Sequence, residues 1–302
     1  MIAVLGPGGV GGFVAAALAR AGSEVTIVAR EETAANIAHD GLHVESVRLG
    51  TFTAHPAAVG SLVEPADVLL VATKATSLEA ALERIATDPG LVVPLLNGLD
   101  HMTMLRERFD RVAAGTIRIE ADRPSPGRIV QTSPFLRIDL ATADDGLHPA
   151  LSELASELVE AGIPAEIDPS EAQILWSKLV RLNALALTTS AADRTIGFIR
   201  SDLTWRAALE GCIREAAAVA NADGASIDPA SGLAELDAAH AELGSSMQRD
   251  IAARRTPELD AIAGAVLRAA ARHGLECPTV TRLAEVVAQR AGLRGSGRLT
   301  GS

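Results

Sequence analysis

The chain has 302 residues, 48% hydrophobic and 22% charged, a composition that excludes a largely disordered or collagen-like polymer and at usual domain sizes predicts two domains. A formal net charge of -11 argues against nucleic acid as a partner, because binding a polyanion takes a basic face that displaces counterions. Two cysteines, Cys212 and Cys277, are too few for a disulfide framework or a four-ligand zinc site, the seven histidines form no H-x-x-x-H pair, and no metal is expected.

In chain order, Ile2–Leu5 reads as a buried strand, Gly11 to Ala21 as a helix, Glu24–Val28 and Asp67–Val71 as strands, Ser77–Ile85 as a helical stretch and Leu91–Leu96 as a strand. This alternation predicts an α/β fold with a doubly wound parallel sheet flanked by helices. From Val112 to Leu140, short apolar runs broken by Pro124, Pro126, Gly127 and Pro134 read as edge strands joined by tight turns. Beyond Glu166 the pattern is all-helical: Ser170–Leu187, Leu203–Ala222, Leu233–Ile251, Pro257–His273 and Thr279–Ala291. Two prolines between Ile163 and Pro169 mark the boundary, giving domains 1–166 and 167–302. The tail after Gly292, rich in Gly, Ser and Arg, is expected to be disordered. No stretch offers the roughly 20 uninterrupted apolar residues of a membrane span, and no secretory leader precedes the first strand. A cytoplasmic location without membrane partners is the default expectation. The Ala-rich second-half helices can pack on one another or on a second copy, so a homodimer is admitted.

Gly6-Pro7-Gly8-Gly9-Val10-Gly11 fits G-x-G-x-x-G, follows a strand and opens a helix, which is the context a dinucleotide-binding Rossmann turn requires. Gly6 suits the tight turn, Gly8 lets the backbone approach a pyrophosphate, and Gly11 lets the helix lie close to the sheet. The helix start, with Gly9 and Val10, adds amide donors and a positive dipole end. The second strand ends in Ala29-Arg30, where an arginine can pair with a ribose 2′-phosphate, so the cofactor expected is NADP(H). Glu31 and Glu32 follow, and as acidic residues at a helix start they also suit its dipole.

Two strand ends carry polar groups: Val-Ala-Thr73-Lys74, and Leu95-Leu96-Asn97-Gly98. In the helical half, Trp176-Ser177-Lys178-Leu179 sets a lysine in an apolar helix, where taken alone it is more commonly a snorkelling surface residue. Farther on, Ser245-Ser246-Met247-Gln248-Arg249-Asp250 leads to Arg255-Thr256-Pro257-Glu258-Leu259-Asp260, whose acidic residues also suit helix capping. In order and spacing over nearly the whole chain, these motifs resemble the ketopantoate reductase (2-dehydropantoate 2-reductase) family.

The resemblance implies a Rossmann domain followed by an all-α domain, NADPH as hydride donor, and reduction of a 2-keto acid, most directly ketopantoate to pantoate on the route to pantothenate. By matching positions it implies Lys178 as the catalytic lysine and Asn97 as an amide contacting cofactor and substrate. It further implies Lys74 near the cofactor, Ser246 at the substrate carboxylate, and Glu258 balancing the lysine or holding a substrate hydroxyl. The family's lysine helix carries asparagines four and eight residues on. Here those positions are Leu182 and Ala186, and Asn183 is the nearest amide, turned by about 100° from the first of them. Asp100 and His101 replace small residues, and Pro257 enters the Thr-Glu junction. Two other readings stay open: a reductase of another, more apolar ketone or keto acid, and a non-catalytic NADP-sensing protein.

Overall fold

In the computed structural model, which describes residues 1–293, the run Ile2–Leu5 forms β1 and is buried at every position. The chain continues through α1 (Gly9–Ala21), β2 (Val25–Val28), α2 (Glu31–Asp40), β3 (Leu42–Ser46), β4 (Gly50–Ala54), β5 (Ala57–Val59) and β6 (Val68–Val71). A short α3 (Leu78–Leu82), β7 (Val92–Pro94) and α4 (His101–Arg108) follow. Next come β8 (Ala114–Arg118), β9 (Ala121–Ser125), β10 (Arg128–Gln131), β11 (Arg137–Ala141), α5 (His148–Glu160) and β12 (Ala165–Asp168). β1 sits at the middle of a five-stranded, wholly parallel sheet in the order β5-β2-β1-β6-β7. β1, β6 and β7 are continuous apolar runs buried at every residue, β2 departs from this only by the buried Thr26, and the edge strand β5 is not fully buried.

Two further sheets complete this unit, β4-β3-β10-β9 and β12-β11-β8. α1 packs on β1 and β2 and also on β4, β9 and β10, so it is buried nearly all round, with Phe13, Val14 and Leu18 fully enclosed. Its glycines answer to that second sheet as well. A Cβ on Gly9 would lie 2.1 Å from the Ala121 carbonyl oxygen, and one on Gly12 would lie 2.6 Å from Ile129 Cδ1. The segment 31–59, where the sequence suggests a helix start at Glu31 and Glu32 but no strand, holds α2 and three strands; only Leu42, Val44 and Ala54 of β3 and β4 are buried, so their alternation is too sparse to stand out.

The second part is all-helical: α6 (Glu171–Ala192), α7 (Ile196–Ser201), α8 (Leu203–Ala222), α9 (Pro229–Ala238), α10 (Ser246–Ala252), a π-helical turn (Asp260–Gly264) running into α11 (Ala265–Arg272), and α12 (Pro278–Arg290). The helix expected over Leu233–Ile251 is in fact two. α9 ends at Ala238, and α10 starts afresh from a Ser245 cap whose Oγ accepts the Gln248 amide at 3.1 Å. Glu215 on α8 caps α12, its carboxylate accepting the Thr279 and Val280 amides, each at 2.9 Å. Gly211 makes room for that approach, since a Cβ there would sit 2.7 Å from Thr279 Oγ1. Trp176, fully buried on α6, donates Nε1 to Asp223 at 2.9 Å, and His273 bonds the other oxygen of that carboxylate at 2.8 Å. Burial pulls Asp223 toward the neutral form, but bonds from His273, Trp176 and Arg272 outweigh it and hold its pKa below the usual value. Cys212 and Cys277 are buried free thiols, and burial pushes both up, Cys277 to about 11, as expected for inert packing residues.

Chain contacts divide the protein into Met1–Leu96 with His101–Ile174 as one unit, and Asn97–Asp100 with the chain from Leu175 onward as the other. The division falls later than residue 166 because β12 pairs with β11, and it lies one turn inside α6. The expected disordered tail after Gly292 lies, from residue 294 on, outside the described residues. Among the described residues no helix is long and apolar enough to cross a membrane.

Candidate functional site

In the first unit the turn between β1 and α1 is set by Gly6, whose φ of +94° is strained for any residue with a side chain. Gly8 is the N-cap of α1, has no side-chain capping bond, and a Cβ built on it meets nothing within 4 Å. The backbone at the start of α1 is therefore open to close approach at Gly8, next to the first amides of the helix. Gly11, by contrast, is tightly enclosed. Its Cβ would lie 2.2 Å from the Gly6 carbonyl oxygen and 2.9 Å from Ala72 Cβ, so only glycine lets the helix start so close to the sheet. Gly9 is required by the Ala121 backbone, as described above, while Val10 follows it in the first turn.

Arg30 is exposed as the N-cap of α2, directly after β2. The neighbouring Glu31 is engaged by Arg84, whose Nη1 donates to Glu31 Oε1 at 3.0 Å and to the Gly60 carbonyl at 2.9 Å. A backbone hydrogen bond at the helix start and the Arg84 guanidinium hold the Glu31 carboxyl below its ordinary pKa. Arg84, far away in sequence, thus offsets the acidic charge that sits beside Arg30. Lys74 is exposed just after β6, at the start of a short 3-10 turn spanning Ala75–Ser77.

The second unit brings Asn97 and Glu258 together, separated by 161 positions in sequence: Asn97 Nδ2 donates to Glu258 Oε2 at 3.0 Å. Glu258 is only 8% exposed, so its carboxylate needs such partners. Gly98 follows with φ +89°, and a Cβ there would lie 2.1 Å from the Ala261 carbonyl oxygen; the Asn97-Gly98 backbone lies directly on the π-helical turn after Glu258. A π turn widens the helix by one residue and redirects the side chains beside it, a feature common at functional sites. Lys178 is half-buried on α6. Asn183, five residues on, is fully buried, and neither Oδ1 nor Nδ2 finds a hydrogen-bond partner among the described residues. At about 100° per residue it lies on a different face of α6 from Lys178. Ser246 is exposed as the first residue of α10, whereas its neighbour Ser245 is buried and accepts from Thr189 Oγ1 at 2.9 Å.

Several of these partners carry no signal in the sequence. Arg84 acts through bonds to residues distant in the chain. Arg268, which pairs with Asp100 and Asp260, stands in a helix where an arginine draws no attention.

Comparison with known proteins matches residues 2–144 to the family described as Ketopantoate reductase PanE/ApbA, and residues 172–291 to its C-terminal region. A 2-dehydropantoate 2-reductase of Mycobacterium tuberculosis is 30% identical over 287 residues, 92% of this chain and 93% of the relative. The solved structure of 2-dehydropantoate 2-reductase from Geobacter metallireducens superposes with a TM-score of 0.86 at 25% identity, covering 96% of this chain and 99% of that one. D-mandelate dehydrogenase, solved with NADH and anilino(oxo)acetate, shares the fold at TM-score 0.86 and 22% identity, covering 96% of this chain and 98% of that one. The chain belongs to the ketopantoate reductase family of oxidoreductases, with a parallel-sheet Rossmann-type region followed by an all-helical domain.

Proposed function

We propose that the protein reduces a 2-keto acid to a 2-hydroxy acid with NADPH, ketopantoate to pantoate being the first substrate to test, and with Lys178 as the general acid. The observation that carries this reading is the Asn97–Glu258 hydrogen bond, which joins two of the three residues expected to do the chemistry; Lys178 belongs to the same unit. The M. tuberculosis relative bearing the name 2-dehydropantoate 2-reductase supports the choice of substrate.

The open space over Gly8 and the uncapped start of α1 fit a dinucleotide pyrophosphate. Backbone at Gly6, Gly8, Gly9, Val10 and Gly11 would hold it, with Arg30 and Lys74 meeting phosphate and Asn97 near the reactive ring. NADPH, when bound, supplies the hydride for the ketone carbon. Lys178 would donate a proton to the carbonyl oxygen and stabilise its developing charge, while Asn97 orients that carbonyl. Glu258 would balance the ammonium, and Ser246 and Asn183 would bind the substrate carboxylate and hydroxyl. For Asn183 the support is its buried amide, which has no described partner: such a group costs about 1–3 kcal/mol unless a ligand or water satisfies it.

Asn183→Leu follows as a test. Removing an amide that the protein leaves unbonded should keep or raise the thermal midpoint, yet raise KM for the hydroxylated keto acid about tenfold, the worth of one hydrogen bond. An unchanged KM beside a higher midpoint would remove Asn183 from the substrate site.

A second reading, reduction of a more apolar ketone or keto acid, is favoured by Leu182 and the buried Ala186, where the family carries amides. NADPH oxidation across a panel running from ketopantoate to bulkier, apolar 2-keto acids decides between them by kcat/KM. Tight NADPH binding with no ketone consumed would indicate a sensing protein instead.

A further inference from the structure

Asp100, next but one after Gly98, is where this chain departs from the small residues expected there, and it is not idle. Arg268 Nη2 donates to Asp100 Oδ2 at 2.6 Å, while Nη1 donates to Asp260 Oδ1 at 2.8 Å and Nη2 also reaches the Asp260 main-chain oxygen at 3.1 Å. The guanidinium can fold back along its own helix because position 264 is glycine: a Cβ there would lie 2.8 Å from Arg268 Nη1 and 2.6 Å from Asp260 Oδ1. Arg268 is therefore already oriented by Asp260 when it meets Asp100.

We propose that Arg268 is a positioning residue for the reduction: through Asp100 it pins the far side of the Asn97-Gly98 turn and so fixes where the Asn97 carboxamide presents itself. The turn has one anchor before the glycine, Asn97 on Glu258, and one after it, Asp100 on Arg268, with the Gly98 backbone pressed on Ala261 between them. A glycine at positive φ is the freest link in a chain, and without the second anchor the first holds one end of a loose hinge. With one Nδ2 hydrogen committed to Glu258, Asn97 has its second Nδ2 hydrogen to donate to the reacting carbonyl, and a shift of about an ångström there is enough to slow chemistry. Ion pairs with exposed members add little to global stability, so the role shows in turnover rather than in melting.

The proposal rests on the reductase reading, and its test separates the two. Arg268→Ala, Asp100→Asn and Arg268→Lys are compared with the wild-type enzyme on whichever keto acid the panel selects, alongside hydrogen–deuterium exchange of the 97–101 amides. The expected result is a kcat about tenfold lower in Arg268→Ala and Asp100→Asn, NADPH affinity and thermal midpoint near wild type, partial recovery in Arg268→Lys, and faster exchange at 97–101 in the two damaged variants. If Arg268→Ala fails to fold, Asp100→Asn, which keeps the Arg268–Asp260 pair, carries the test. A kcat within about twofold of wild type, or unchanged exchange at 97–101, overturns the assignment. Should the wild type reduce no keto acid, the reductase reading fails and the exchange measurement alone decides whether the anchor exists.

Discussion

Replacing Lys178 with alanine is expected to lower kcat by about 10²–10⁴-fold while leaving NADPH affinity near wild type, the loss typical of removing a general acid. The packing of α6 is the reason. Trp176, two residues before the lysine, is 1% exposed and donates its indole N–H to Asp223 on the loop after α8, so the helix segment carrying Lys178 is fixed in rotation. A side chain on such a segment is pre-organised, and its ammonium can meet the same oxygen in every turnover. Lys178→Arg separates the two contributions of that ammonium. Arginine keeps the positive charge but releases a proton far less readily, so its turnover should fall between wild type and alanine, with a flatter pH dependence. Stopped-flow measurement of NADPH oxidation, with affinity from fluorescence titration, gives both numbers. Turnover in Lys178→Ala within a few-fold of wild type would remove the lysine from the chemistry.

Four of the five strands of the parallel sheet and most helices are legible in the sequence because their burial is continuous or strongly periodic: β1, β2, β6 and β7 are buried at every residue, and α8 begins and ends where its periodicity does. Residues 31–59, which hold the fifth strand β5, are not, since β4 buries only Ala54, β5 buries no residue fully and α2 buries only Ala34 and Ile37. The break between α9 and α10 turns on a single serine cap, a local signal that the apolar pattern on either side overrides by eye. In the candidate site the glycine run is readable because G-x-G-x-x-G is a local pattern, although the backbone carbonyls that require Gly9 and Gly98, those of Ala121 and Ala261, are distant in sequence. The ion pairs are not readable: Arg84 meets Glu31 across 53 positions and Arg268 meets Asp100 across 168, and only the folded chain brings them together. Charge partners of this kind leave no periodicity, so a sequence shows the residue types without the pairing.

Arg30→Ala is expected to weaken NADPH binding by roughly 10–150-fold while changing NADH binding little, as the loss of a charge-assisted bond worth about 1.5–3 kcal/mol would. The position follows from β2, whose last residues are buried beside β1 and β5, so the chain emerges at Arg30 with the side chain exposed at the helix start. A 2′-phosphate there would also meet Glu31, and unpaired that carboxylate would repel it. Arg84, which donates to Glu31 and to the Gly60 carbonyl, would offset that repulsion. Arg84→Ala should therefore lower the preference for NADPH over NADH without touching the phosphate itself, and the drop should shrink in high salt, where exposed charges are screened. In the Arg84→Ala/Glu31→Gln double variant the preference should return toward wild type, because the repelling group is gone. Titrating both cofactors against all four proteins checks the whole scheme: equal losses for NADPH and NADH in Arg30→Ala would show that Arg30 does not read the 2′-phosphate, and a double variant as impaired as Arg84→Ala would show that Glu31 is not what Arg84 restrains.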